Sequence, residues 1–321
     1  MNKFKKIVIS MLCIIVALIT ISFGYIYFKL NTAYVPGNNN TNTKENIESE
    51  KINGIKNILL IGVDGTNLEK GNRSDSMMIL TVDGKNKNLR LTSLARDTYV
   101  DIKGYSTEKL THAYAYGGPE LLIDTIKSNF GITIDKYVSV SFNSFIKIID
   151  LIGGVEVNVK ENDINMLNKY IKTCYEFDLN SDKEEIQYIY EPGKQNLKGY
   201  QVLAFSRIRY QDSAYARDAR QREVIEAAIS KLETTGIDKY IKTLDIVMAG
   251  SKTNISPAEM LSLGFNILNI GKSGMKTLEF PIYKNPANLP GKGWVIQWDE
   301  ESNLEVLNNF IFNNKDAEDE K

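Results

Sequence analysis

The sequence has one histidine, two cysteines, two tryptophans and seven prolines among 321 residues. A single histidine, His112, cannot build a multi-histidine zinc site and makes a serine–histidine triad a poor reading. The cysteines are Cys13, in an apolar run, and Cys174, in a distant polar segment, so no disulfide framework follows. Cys174 has no histidine nearby in sequence to activate it as a nucleophile. No glycine-rich nucleotide-cradling loop of the usual spacing occurs. A basic surplus is also missing. The formal net charge is −1, and residues 1–30 hold four lysines and no acid, so the rest carries 35 basic and 40 acidic residues, or −5. Such a balance argues against a nucleic-acid partner. A hydrophobic fraction of 43% supports a sizeable core.

What is present begins with the N-terminus. Residues 7–28 are uncharged and almost uninterruptedly apolar. At about 1.5 Å per residue they are long enough for a bilayer core of about 30 Å. Lys3, Lys5 and Lys6 precede them, so residues 1–6 are expected in the cytoplasm and the remainder outside the cell membrane. The run is long for a cleaved signal peptide and ends without a small-residue cleavage site, which favours a signal anchor. Residues 29–54, with Pro36-Gly37-Asn38-Asn39-Asn40, read as a flexible linker. The folded domain is expected over 55–314, and 315–321 form an acidic tail.

Apolar runs at 58–64, 77–82 and 89–94 read as strands, the last two joined by a turn at Asp83-Gly84-Lys85-Asn86. A helix is expected from Pro119, with Leu122, Ile126 and Phe130 on one face and Gly131 as its stop. Further helices are expected at 143–151, 200–207, 218–232, from the Ser256-Pro257-Ala258-Glu259 capping box, and at 304–312. Strands are expected at 155–159, 277–282 and 294–298. Residues 160–192 read as an irregular, lid-like insertion. The alternation predicts an α/β class, with a single domain of layered helices and sheet.

The chemistry lies in the arginines. Of 39 basic residues only eight are arginine: Arg73, Arg90, Arg96, Arg207, Arg209, Arg217, Arg220 and Arg222. Five of them fall within residues 207–222. A lysine-rich chain that concentrates its planar guanidinium forks suggests a multi-oxygen anion as ligand. Ion pairing with Asp212, Asp218 and Glu223 is the competing reading. Acids flank two of the others, in Arg73-Ser74-Asp75 and Arg96-Asp97, and Asp64 ends the first strand. Asp64 and Asp75 are hard oxygen ligands of the kind Mg²⁺ takes together with substrate phosphates.

Taken in order, these segments resemble the LytR–CpsA–Psr (LCP) family of cell-wall glycopolymer ligases. The matching stretches are Asn57-Ile-Leu-Leu-Ile-Gly-Val-Asp64, Arg73-Ser-Asp75, Ser93-Leu-Ala-Arg96-Asp97-Thr98-Tyr99 and Lys109-Leu-Thr-His112-Ala-Tyr-Ala-Tyr116-Gly-Gly118. They continue with Leu151-Ile-Gly-Gly154-Val, Gly193-Lys-Gln-Asn-Leu197, Ala204-Phe-Ser-Arg207-Ile-Arg209-Tyr210 and Arg217 through Arg220-Gln221-Arg222. The resemblance implies an α/β/α domain behind an N-terminal transmembrane helix. It implies transfer of a phosphoglycan, such as teichoic acid, capsule or another secondary polysaccharide, from a polyprenyl-pyrophosphate-linked donor to peptidoglycan. By residue match, Asp64 and Asp75 would hold Mg²⁺ or Mn²⁺. Arg73, Arg96, Arg207, Arg209, Arg217 and Arg220 would surround the pyrophosphate. Arg96, Asp75 and Asp97 are the expected catalytic group, with Arg96 as electrostatic stabiliser and either aspartate as base only if not fully engaged by metal or an arginine. The polyprenyl chain would need an apolar wall, for which Phe142, Phe145, Ile146, Ile149, Leu121 and Leu122 are candidates. Two departures stand out: Ala95 replaces a usual proline, and Ala214 and Ala216 replace Asp and Gly ahead of Arg217. A pyrophosphatase acting on the same lipid, and an anchored non-catalytic regulator or glycan-binding protein, are the alternatives.

Overall fold

The computed structural model describes residues 54–68, 71–134, 136–209, 214–235, 242, 250–271 and 275–313. The expected anchor over 7–28, nearly all of the linker and the acidic tail lie outside them.

A mixed six-stranded sheet organises the chain. Its strands are β1 (Ile55–Val63), β2 (Ser74–Asp83), β3 (Asn88–Leu94), β6 (Lys136–Ser141), β9 (Ser251–Thr253) and β10 (Met275–Phe280), in the spatial order β10-β3-β2-β1-β6-β9. β1, β2 and β3 form an antiparallel meander, with β6 parallel to β1 and β10 parallel to β3. Both faces are apolar because side chains alternate along each strand. On one face Leu59, Ile61, Met77 and Ile79 pack with Leu122, Ile126 and Phe130 of α1 (Leu110–Phe130) and with Val306, Leu307 and Phe310 of α7 (Glu300–Phe312). On the other, Ile58, Met78, Leu80 and Leu91 pack with Met260 and Leu263 of α6 (Pro257–Ile270) and Ile225 of α5 (Ala214–Glu233). Ser256 caps α6 through the predicted capping box.

A second core lies beyond the sheet. It joins α2 (Phe142–Leu151), α3 (Ile164–Glu176), α4 (Gly199–Arg207) and the antiparallel pair β7 (Val155–Val159) and β8 (Gly193–Leu197). Eight of the nine α4 residues are buried. Gly199 permits this, since a Cβ there would lie 2.3 Å from the Ile146 carbonyl oxygen of α2. Two small ribbons complete the description: β4 (Tyr99–Asp101) with β5 (Thr107–Lys109), and the hairpin β11 (Lys284–Leu289) with β12 (Gly293–Trp298).

Three expectations change. Residues 160–192 are not wholly irregular: α3 buries Leu167, Ile171 and Cys174 on one face. The helix expected from Pro119 starts at Leu110, and Gly118 (φ 71°, ψ −160°) kinks it so that Pro119 opens its second segment. β6 is a further strand, with a buried/half-buried alternation along Lys136–Ser141.

Candidate functional site

One end of the sheet gathers the chemistry. The C-terminal ends of β1, β3, β6 and β10 share it with the N-terminal end of β2, as the registers Val63↔Ser74, Val63↔Ser141 and Phe280↔Leu94 require. Ligand sites of open α/β sheets collect at such carboxyl ends. Asp64 leaves β1 there, and its N–H donates to the Arg73 carbonyl (2.9 Å). Asp75 is the second residue of β2. Phe142 opens α2 directly after β6, and its N–H donates to the Gly65 carbonyl (2.9 Å).

The turn after β3 aims Arg96. The Thr98 N–H and hydroxyl both donate to the Ala95 carbonyl, at 3.1 and 2.6 Å. The Ala95 N–H donates to the Phe280 carbonyl (2.9 Å), a bond the family's usual proline could not make. The first turn of α1 braces the other side: the Thr111 N–H donates to the Arg96 carbonyl (3.0 Å) and its hydroxyl to the Ser74 carbonyl (2.8 Å).

Arg96 bridges two carboxylates. Its Nη1 donates to Asp75 Oδ1, and its Nε lies 3.5 Å from Asp97 Oδ2. Arg209 Nη2 lies 3.9 Å from Asp75 Oδ2, and Lys109 Nζ lies 3.0 Å from Asp97 Oδ1. Both aspartates are therefore engaged by cations. Burial lowers the Arg209 pKa, the positive charges of Arg96 and Arg217 lower it further, and Asp75 and Asp97 oppose them. Arg96, Arg209 and Arg217 thus form one positive cluster whose mutual repulsion a polyanion would relieve.

Arg217 is buried, and its Nε and Nη2 both donate to Asp218 Oδ1, at 3.1 and 2.9 Å. Burial raises the Asp218 pKa and Arg217 draws it back. Nearby, Arg222 Nη2 lies 3.4 Å from Glu279 Oε2, whose Oε1 accepts from Lys284 Nζ (2.7 Å). Arg207 stacks over the Phe142 ring (4.6 Å) and the Phe177 ring (5.4 Å), with Nη1 buried and without a hydrogen-bond partner among the described residues. Cys174 is buried beside it, and burial pushes the thiol up to about 11 against the pull of Arg207. That protonated thiol is no nucleophile.

Not every predicted residue joins the cluster. Arg220 is buried, and its Nη2 donates to the Ile208 carbonyl (2.7 Å) while Nη1 lies 3.7 Å from Asp163. It braces the exit of α4, so part of its fork is committed to the protein itself. Arg73 is exposed and makes no ion pair among the described residues. The six proposed lipid-wall residues divide between two cores. Phe142, Phe145, Ile146 and Ile149 belong to the second core, whereas Leu121 and Leu122 pack under the sheet. Lys109 and Phe177 are site residues with no role expected from the sequence, whereas Asp218 takes Arg217 in the ion pair that the competing reading named. Lys109 was signalled by its motif, but the acid it reaches is fixed only by folding.

Among the described residues no cluster of three or more His, Cys, Asp or Glu side chains could hold a metal. Asp64 is exposed at the end of β1 and makes no ion pair among the described residues. With Asp75 it supplies two carboxylates at one sheet end, which matches an ion that takes its remaining ligands from phosphate and water.

The LytR_cpsA_psr family profile matches residues 24–310. A polyisoprenyl-teichoic acid–peptidoglycan teichoic acid transferase TagU of Enterococcus faecalis is 35% identical over 216 residues, 65% of this chain and 64% of that protein. The chain thus spans just under two thirds of that relative. TagU of Bacillus mycoides is 33% identical over 229 residues, 70% of this chain and 68% of that protein. The crystal structure of B. subtilis TagV is similar at a TM-score of 0.63 and 26% identity, covering 80% of this chain and 95% of that one.

Proposed function

The chain belongs to the LytR–CpsA–Psr family, and from that premise we propose that it transfers a phosphoglycan from a polyprenyl-pyrophosphate carrier to peptidoglycan. The observation that carries this reading is the Arg96–Arg209–Arg217 cluster at the carboxyl end of the sheet. Relatives named as teichoic acid transferases support it, and teichoic acid is the polymer they point to. In the reaction an acceptor hydroxyl attacks the glycan-side phosphorus, a new phosphodiester O–P bond forms, and the bridging P–O bond breaks. Polyprenyl phosphate leaves, and the hydroxyl proton passes to solvent. Phosphoryl transfer asks mainly for positioning and charge neutralisation. Arg96 and Arg209 supply both, with Asp75 and Asp97 holding Arg96 in place. Arg217, aligned by Asp218, adds a third positive charge. Mg²⁺ held by Asp64 and Asp75 would neutralise phosphate oxygens further.

Arg207 lies over Phe142, so the arginine-rich end of the sheet meets the second core. This is where the polyprenyl chain would enter, along Phe142 and Phe145. Residues 7–28 would anchor the protein, with the domain outside the cell membrane. No helix among the described residues is long and apolar enough to cross a membrane.

The test incubates the full chain in detergent with a polyprenyl-pyrophosphate oligosaccharide, Mg²⁺ and uncross-linked peptidoglycan, followed by mass spectrometry. A phosphodiester-linked glycan on peptidoglycan with released polyprenyl phosphate is the expected result. Free phosphoglycan would assign a pyrophosphatase instead, and no turnover despite donor binding would assign a binding protein.

A further inference from the structure

A second surface adjoins the arginine cluster and has no part in the chemistry above. Tyr105 and Tyr116 stack with ring centroids 4.3 Å apart and 17° between planes. They remain 54% and 41% exposed. Stacked on each other, each covers one face of its partner and leaves its outer face open. His112 lies one turn before Tyr116 on α1, with ring centroids 5.8 Å apart. Polar groups fringe the rings. His112 Nδ1 is 3.2 Å from Glu108 Oε2, Lys292 donates to the other Glu108 oxygen, and Lys292 Nζ is 3.1 Å from Ser106 Oγ.

This surface is tied to the reaction centre by its neighbours. Lys109 follows Glu108 and pairs with Asp97, the partner of Arg96. The β11–β12 hairpin that carries Lys292 is fastened to the same strand end, where the Ile296 N–H donates to the Asp97 carbonyl (2.9 Å).

We propose that Tyr105, Tyr116, His112, Glu108 and Lys292 form the platform that holds the amino-sugar strand of the peptidoglycan acceptor. The proposal rests on the transferase reading and names the acceptor side of it. A pyranose ring presents an apolar face of C–H groups and an edge of hydroxyls. Open tyrosine faces accept the first, and a fringe of carboxylate, ammonium, imidazole and hydroxyl groups accepts the second. A membrane surface is the other occupant an aromatic patch can serve. The link from Glu108 through Lys109 to Asp97 favours the acceptor strand, which must reach the reaction centre.

The experiment measures binding and transfer separately. Full-length wild-type chain, Tyr105→Ala/Tyr116→Ala and Tyr116→Trp are co-sedimented with teichoic-acid-free sacculi and, in parallel, with phosphatidylglycerol vesicles. Thermal melting checks that each variant is folded. The double alanine variant should bind sacculi about tenfold more weakly, Tyr116→Trp should keep binding, and vesicle association should not change. In the transfer assay KM for the acceptor should rise while donor binding stays constant. Equal sacculus binding by a folded double variant overturns the proposal, as does loss confined to vesicle binding. Sacculus binding that depends on the tyrosines in a chain that transfers nothing would sink the transferase reading and leave the platform standing.

Discussion

Arg96 is held from two sides, by Asp75 and by Asp97, so its guanidinium is already oriented before any substrate arrives. Preorganised charge of this kind contributes most when its partner develops charge in the transition state. Arg96→Ala is expected to lower transfer at least about 100-fold while donor binding falls far less, read as kcat against KM in the mass-spectrometric assay. Arg96→Lys should not restore it, since an ammonium cannot span both carboxylates. Asp218 works through Arg217. Asp218→Ala strands a buried cation and should cost about 3 kcal/mol in urea unfolding. Asp218→Asn keeps an acceptor for Arg217 and should cost much less. Burial raises the Asp218 pKa above the ordinary carboxylate range. The folded chain therefore holds that proton more tightly than the unfolded chain. Its contribution to stability falls as pH rises from the ordinary carboxylate range through the folded value. Asparagine removes that slope, so the stability of wild type relative to Asp218→Asn should decline as pH rises above the ordinary carboxylate value. An unchanged difference would mean that Asp218 does not titrate in that window.

At the scale of elements, the contact between α2 and α4 leaves no room for a side chain at Gly199. Gly199→Ala would drive a methyl into the Ile146 backbone rather than into a yielding side chain. The expected loss is about 3 kcal/mol, visible as a lower Tm. The same elements show what a sequence can disclose. β1 and β2 were legible because each holds an apolar run, β3 because Leu89, Leu91 and Leu94 follow the turn at Asp83-Gly84, and β3 begins within a residue of its expected start and ends where expected. α6 was legible because Ser256 and Glu259 form their capping box locally. α3 was missed although Leu167, Ile171 and Cys174 recur at helical spacing, because lysines and asparagines between them lower the apolar density. β9 is three residues long and owes its strand to β6, which no local pattern announces. In the site, the arginines were legible as a group through their scarcity elsewhere. Their division was not: Arg96 and Arg209 both face Asp75 and Arg217 pairs with Asp218, whereas Arg220 turns to Ile208 and Asp163. Side-chain direction depends on tertiary partners that spacing does not encode.

For the whole molecule, the charge is divided between a lysine-bearing N-terminus and an acidic remainder. If residues 7–28 cross the membrane as proposed, protease added outside intact protoplasts should cut the linker and release the domain. Protection of the chain until the cells are lysed would place the domain inside instead. Two carboxylates make a weak resident metal site, so Mg²⁺ would arrive largely with the donor. EDTA should abolish transfer without lowering Tm, and added Mg²⁺ should restore it. A fall in Tm on chelation would point to a structural ion.

The buried guanidinium of Arg90 has a consequence for the order in which the chain can be completed. Its Nη1 donates to the Ile311 carbonyl (2.6 Å), 221 residues further along, and its strand pairs with β10, which also arrives late. A chain made from the N-terminus has β1 to β3 available long before either partner exists. Until synthesis is nearly finished, the outer edge of β3 lacks its neighbour and Arg90 lacks that carbonyl. Early release of the chain would therefore leave an unfinished sheet rather than a smaller working domain, and β10 and α7 set the moment at which the protein becomes whole.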